Sequence, residues 1–135
     1  MSITFSGRNS RSAGVISAIA RQLKVINFKP AKKITVEFDP FHEKSNSVRK
    51  FMYYISAQKY KNTNPKCLFK TSIVCDRSEP TITVDLESGD KLVMKSSNLT
   101  TVELLQLYNK HVTSLVPPPK EEDKVATKGK KLKKK

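Results

Sequence analysis

Side chains suited to nucleophilic, redox or metal chemistry are few: two cysteines, two histidines and twelve carboxylates in 135 residues, beside 26 lysines and arginines. Cys67 and Cys75 stand eight apart, whereas a redox dithiol wants C-x-x-C spacing at the start of a helix, where the dipole lowers the thiolate pKa. They read as reduced, buried or edge cysteines, since two thiols make no disulfide framework. His42 and His111 lie at no ligand spacing from each other or from a cysteine, so no metal site is expected. Asp39 and Glu43 bracket a loop, yet no nucleophile, base or oxyanion donor accompanies them, and Asp39 before Pro40 reads as turn chemistry. Only four glycines are present and none forms a phosphate-cradling loop. The chain is therefore expected not to be an enzyme, to carry no cofactor and to have no small-molecule substrate.

What remains is charge. A formal net charge of +14 asks for a polyanionic partner such as RNA or an acidic membrane surface. No apolar run approaches the ~18 residues of a membrane span, so none is expected. The charge is unevenly spread. Residues 1–32 hold Arg8, Arg11, Arg21, Lys24, Lys29 and Lys32 and no acid, and residues 116–135 hold eight lysines against Glu121, Glu122 and Asp123. Residues 33–115 hold twelve basic and nine acidic residues. Eleven of the fourteen net charges thus belong to the two ends, which predicts a basic N-terminal arm (1–32), a folded domain (33–115) and a lysine-rich tail (116–135).

The tail opens on Pro117-Pro118-Pro119, which removes three backbone donors, and then has almost nothing to bury; it is expected to be disordered. In the arm, Ser12 to Ile26 sets Val15, Ile16, Ile19, Ala20, Leu23 and Ile26 on one helical face, opposite Ser17, Arg21 and Lys24. Such a basic amphipathic helix, in a segment rich in Arg and Ser with no acid before Glu37, suits mitochondrial import, and it equally suits docking by its apolar stripe onto the domain.

Within the domain, Ile34, Val36 and Phe38 alternate with polar residues as a half-buried strand ending at Asp39-Pro40. Ser45 is placed to cap a helix whose Val48, Phe51, Met52 and Ile55 share one face. A turn cluster over 61–66 leads to a second strand over Cys67 to Cys75, and a helical crossover between two strands favours parallel pairing. Thr81–Leu86 and Lys91–Lys95 flank Glu87-Ser88-Gly89-Asp90 as a hairpin, with Gly89 supplying positive φ. Thr100 and Glu103 form a capping box, with Leu99 and Leu104 as its staple, and Leu104, Leu105, Tyr108, Val112 and Leu115 form a buried stripe. The expected fold is a small α/β sandwich of order β-α-β-β-β-α.

The run Lys33 to Phe41 followed by Ser47 to Phe51 resembles the mitochondrial ribosomal and complex I small-subunit superfamily, and within it the mitochondria-specific large-subunit ribosomal protein family numbered fifty-three. Ser56 to Lys59 with Asn62-Thr63-Asn64, Ser78-Glu79-Pro80, Gly89 to Lys95 and Asn98-Leu99-Thr100 continue the resemblance in order, across roughly residues 24 to 112. It implies a thioredoxin-like fold used structurally, in which Asp39 occupies the place where thioredoxins carry their first active cysteine. No catalytic residues are carried over.

The resulting expectation is a structural component of the large subunit of the mitochondrial ribosome in the matrix, with large-subunit rRNA and other large-subunit ribosomal proteins as partners. An accessory subunit of respiratory complex I is the alternative on the same fold. Phosphate contacts are expected from Arg8, Arg11, Arg21, Lys24, Lys29, Lys32 and Lys33, from Lys44, Arg49 and Lys50 around the start of the first domain helix, and from Lys128, Lys130, Lys131, Lys133, Lys134 and Lys135.

Overall fold

The structure, a computed structural model, describes residues 14–117. Its elements are α1 (Val15–Val25), β1 (Ala31–Phe38), a 3-10 turn (Glu43–Ser45), α2 (Asn46–Ile55), α3 (Gln58–Lys61), β2 (Leu68–Ile73), β3 (Thr81–Leu86), β4 (Lys91–Lys95), α4 (Thr101–His111) and a closing 3-10 turn (Thr113–Leu115). The chain is an α/β unit of four helices and one mixed sheet with strand order β2-β1-β3-β4. β1 and β2 run parallel, as a helical crossover requires, and β1–β3 and β3–β4 are antiparallel.

Alternation within the strands divides the sheet into two faces. Ile34, Val36 and Phe38 of β1, Ile82 and Val84 of β3 and Met94 of β4 are buried. They share one core with Val48, Phe51 and Ile55 of α2 and Leu104, Leu105 and Tyr108 of α4. The alternate residues form the other face, with Thr35 paired to Lys70 and Thr83, and Thr83 to Val93 across the four strands; among the described residues no helix covers it.

The N-terminal helix is docked. α1 lies along α4, with Ile19 and Ile26 buried and Leu23 packed against the core, and the Asn109 amide donates to the Gln22 carbonyl and Oε1, both at 3.0 Å. Half of the anticipated stripe is not used in this way: Val15, Ile16 and Ala20 are exposed. Phe28 follows into the core, its ring edge-on to Tyr108, and β1 starts at Ala31, two residues before the alternation becomes visible.

Further departures from expectation have local causes. Ser45 does precede α2, but its hydroxyl donates to the Pro40 carbonyl and caps nothing, because the 3-10 turn has already brought the chain round. α3 was not expected, being too short to show a period. β2 is shorter than the run from Cys67 to Cys75, and both cysteines flank it. Leu115 is exposed, because α4 ends at His111 and the 3-10 turn rotates the next apolar residue outward. The α4 capping box forms as expected, the Thr100 amide and hydroxyl both donating to Glu103 Oε2 and the Glu103 amide to Thr100 Oγ1. Gly89 has φ +97° in the hairpin turn. The tail and its expected disorder lie outside the described residues.

Candidate nucleic-acid interface

At the end of β1 the position of interest is Asp39. Its carboxylate is buried and engaged: Oδ1 accepts from the Phe41 amide at 2.8 Å and Oδ2 from the Arg77 amide at 2.9 Å. Arg77 sits in the left-handed region at φ +55°, and Asp39 holds it there. Asp39 thus pins the β1–α2 loop to the segment that enters β3, the turn role its sequence context suggests. Both cysteines are free thiols. Burial pushes the Cys67 thiol up from its ordinary range, away from the thiolate, and burial chiefly, then the nearby Cys67, pushes the Tyr108 phenol up. Among the described residues no His, Cys, Asp and Glu side chains gather as a metal site, and no helix is long and apolar enough to cross a membrane.

The cations expected to meet phosphate separate into groups. Arg21 and Lys24 are exposed on α1, Lys29 and Lys32 are exposed at the start of β1, and Lys33 is half-buried on the uncovered sheet face beside Asp85. Lys44, Arg49 and Lys50 are not engaged alike. The Lys44 ammonium donates to Asn98 Oδ1 at 3.0 Å and is held toward the start of α4, while Arg49 and Lys50 stand exposed on the outer surface of α2. Arg8, Arg11, Lys128, Lys130, Lys131, Lys133, Lys134 and Lys135 lie outside the described residues.

Four further lysines belong with Arg49 and Lys50. Met52 of α2 accepts a hydrogen bond from Thr71 Oγ1 at 3.4 Å, which seats α2 above β2, the parallel edge strand. Lys59 and Lys61 of α3 and Lys66 and Lys70 at β2 are exposed along the same flank. Their ammonium groups are partly positioned by aromatic rings: Lys59 lies 6.0 Å from the Tyr60 centroid and Lys61 5.9 Å from that of Phe69. Charge totals over 33–115 conceal this flank, because they average it with acids elsewhere. The visible signal was the absence of any acid between Glu43 and Asp76.

The connection that carries these lysines is tied down by side chains. Asn64 Nδ2 donates to the carbonyls of Phe28 at 3.1 Å and Ala31 at 3.0 Å, and its Oδ1 accepts from the Lys66 amide. Thr63 Oγ1 accepts from the Phe28 amide and donates to the Tyr60 carbonyl. A groove of about 360 Å³ lies beside this connection, lined by Phe28, Gln58, Lys61, Asn64, Cys67 and Phe69 among others, with no nucleophile–base pair. The arrangement offers exposed cations on a fixed backbone, suited to binding anions.

Residues 38–89 match the model of the family described as 39S ribosomal protein L53/MRP-L53. The matched stretch runs from the end of β1 through the Asp39 loop, α2, α3, β2 and β3 to Gly89, and so contains the whole acid-free flank. Of the ribosomal and complex I readings, the match is to the ribosomal one. The role of that family is structural, and its place is the mitochondrial ribosome. The Asp39 loop, the crossover and the first strand and turn of the hairpin lie inside the matched segment, and over that segment, which is less than half of the chain, the protein is similar to the 39S ribosomal protein L53/MRP-L53 family of mitochondrial large-subunit ribosomal proteins.

Proposed function

We propose that the protein packs a thioredoxin-like domain between large-subunit rRNA and neighbouring ribosomal proteins and holds rRNA through the phosphate backbone. The sheet order supports the fold reading: a parallel β-α-β unit joined to an antiparallel hairpin and a closing helix, with Asp39 where a redox relative would carry its cysteine. One observation carries the RNA reading, namely eleven of fourteen net positive charges in the first 32 and last 20 residues. Arg8, Arg11, Arg21, Lys24, Lys29, Lys32 and Lys33 at one end, and Lys128, Lys130, Lys131, Lys133, Lys134 and Lys135 at the other, act by counterion release and need no base-specific contact. Lys44, Arg49 and Lys50 add domain contacts.

The test is binding of a large-subunit rRNA transcript by the full chain across a salt series. Each phosphate neutralised contributes roughly 0.7 to 0.9 to the slope of log affinity against log salt. Deleting residues 116–135 is expected to flatten that slope; an unchanged slope removes the tail from the proposal. Co-sedimentation of tagged protein with respiratory complex I, and not with the large ribosomal subunit, would reverse the partner assignment.

A further inference from the structure

We infer that the α2–α3–β2 flank of the domain is itself an rRNA-backbone surface, and that the β3–β4 hairpin faces away from the RNA. The inference rests on the RNA reading above and adds a specific surface and orientation to it. Arg49, Lys50, Lys59, Lys61, Lys66 and Lys70 come from two helices, a turn and an edge strand at the β2 end of the sheet, with α2 above the core face of β2 and Lys70 on its uncovered face, so that the cations are spread around that edge. Among the described residues the ion pair formed is Lys91 to Asp85 at 3.9 Å, on the opposite flank. The six cations therefore have no carboxylate partner there, and their mutual repulsion falls when a polyanion lies along them.

The character of that polyanion follows from the rest of the flank. Tyr53 stands on α2 one turn after Arg49 and is 74% exposed, a flat ring beside a cation, the pairing on which an unstacked base settles while phosphate meets the guanidinium. An acidic protein strand is the other chemistry a basic edge could take. Lys70 at the middle of the edge strand, and the short length of that strand, argue against it, because a charged side chain on a short edge discourages strand addition. RNA backbone needs neither an open ladder nor an apolar groove. On the hairpin side, Asp85, Glu87 and Asp90 offset Lys91 and the neighbouring Lys29 and Lys33, so the β4 side of the hairpin draws phosphate less than the acid-free flank does, and that difference sets the orientation.

The experiment compares the full chain with a Lys59→Gln/Lys61→Gln/Lys66→Gln/Lys70→Gln variant, all exposed positions, after circular dichroism and thermal melting have matched their folds. With the same rRNA transcript, the variant is expected to bind at least tenfold more weakly at low salt. Its log–log salt slope is expected to be lower by roughly 3, the share of four phosphate contacts. Tyr53→Ala is expected to weaken binding at every salt concentration while leaving the slope unchanged, since stacking releases no counterions. If the four-lysine variant keeps the wild-type slope while tail deletion lowers it, the flank assignment is overturned and the RNA reading stands. If the wild-type chain shows no salt-dependent rRNA binding, both fall. If polyglutamate displaces the transcript from the flank as effectively as unlabelled rRNA does, and Tyr53→Ala changes nothing, the surface is a generic anion patch and its assignment to RNA is overturned.

Discussion

On the β2 side of the sheet, residues 46–75 place six cations and no carboxylate; on the hairpin side, residues 81–95 place two cations among three carboxylates. The two sides differ as much in how they are held. β3 is an interior strand whose Ile82, Val84 and Leu86 are all buried, whereas no residue of β2 is buried and Leu68 and Ile73 are more than 60% exposed. The hairpin side is fixed by apolar burial. The β2 side is fixed by one ladder and by Asn64 and Thr63 reaching back to the α1–β1 connection. A strand freed from core duty can spend its side chains on a partner, and in this fold the parallel edge strand is the one freed.

The sharpest way to break this contrast is to truncate the same side chain on each side. Ile82→Ala removes a fully buried isoleucine between β1 and β4 and is expected to cost about 2–5 kcal/mol of unfolding free energy. Ile73→Ala removes one that is 63% exposed, and its cost is expected to stay below about 1 kcal/mol. Denaturant melts of the two variants check this. Similar losses would mean that β2 is as firmly part of the core as β3.

Next in size is the polar tie. Asn64→Ala withdraws the amide from the Phe28, Lys29 and Ala31 carbonyls and the acceptor from the Lys66 amide, and leaves those backbone groups to find water. The expected loss is about 2 kcal/mol, since each poorly satisfied group costs roughly 1–3 kcal/mol when buried and less when half-exposed. Hydrogen exchange is expected to speed up first at residues 28–31 and 62–68 and last in β3. Uniform loss of protection would show that Asn64 supports the whole fold and not this connection.

The two sides also differed in how far the amino-acid pattern disclosed them. Thr81–Leu86 alternates strictly, and Gly89 marks a turn that only positive φ satisfies, so the hairpin was readable residue by residue. The Thr100–Glu103 capping box was equally legible, because both partners lie within one helical turn. The opposite side depends on contacts between distant residues. Asn64 reads as a turn former, and nothing near it shows that its amide will reach back more than thirty residues to Phe28. Ser45 reads as a cap, and its hydroxyl goes to Pro40 once the 3-10 turn has formed. The six-cation flank exists only after the crossover has set α2 and α3 beside an edge strand, so counting charge over the whole domain averaged it away.

The smallest expected effect probes the hairpin side's charge. In the sheet register Asp85 lies between Lys33 of β1 and Lys91 of β4, and its Oδ1 is buried with the Lys91 ammonium 3.9 Å away as an ion-pair partner. Lys91 is largely exposed, so holding its long side chain in place costs entropy that nearly offsets the attraction through water. Lys91→Ala is accordingly expected to change stability by no more than about 0.5 kcal/mol, with Lys33 still beside the carboxylate. The same variant sharpens the contrast between the two sides in RNA binding. A lysine already paired with a carboxylate releases little when phosphate approaches, and one surrounded by Asp85, Glu87 and Asp90 sits where phosphate is drawn less. Its removal is therefore expected to leave the salt slope of rRNA binding at the wild-type value, measured alongside the four-lysine variant. A slope lowered by about 1 would put a phosphate at the hairpin and remove the orientation inferred for the domain.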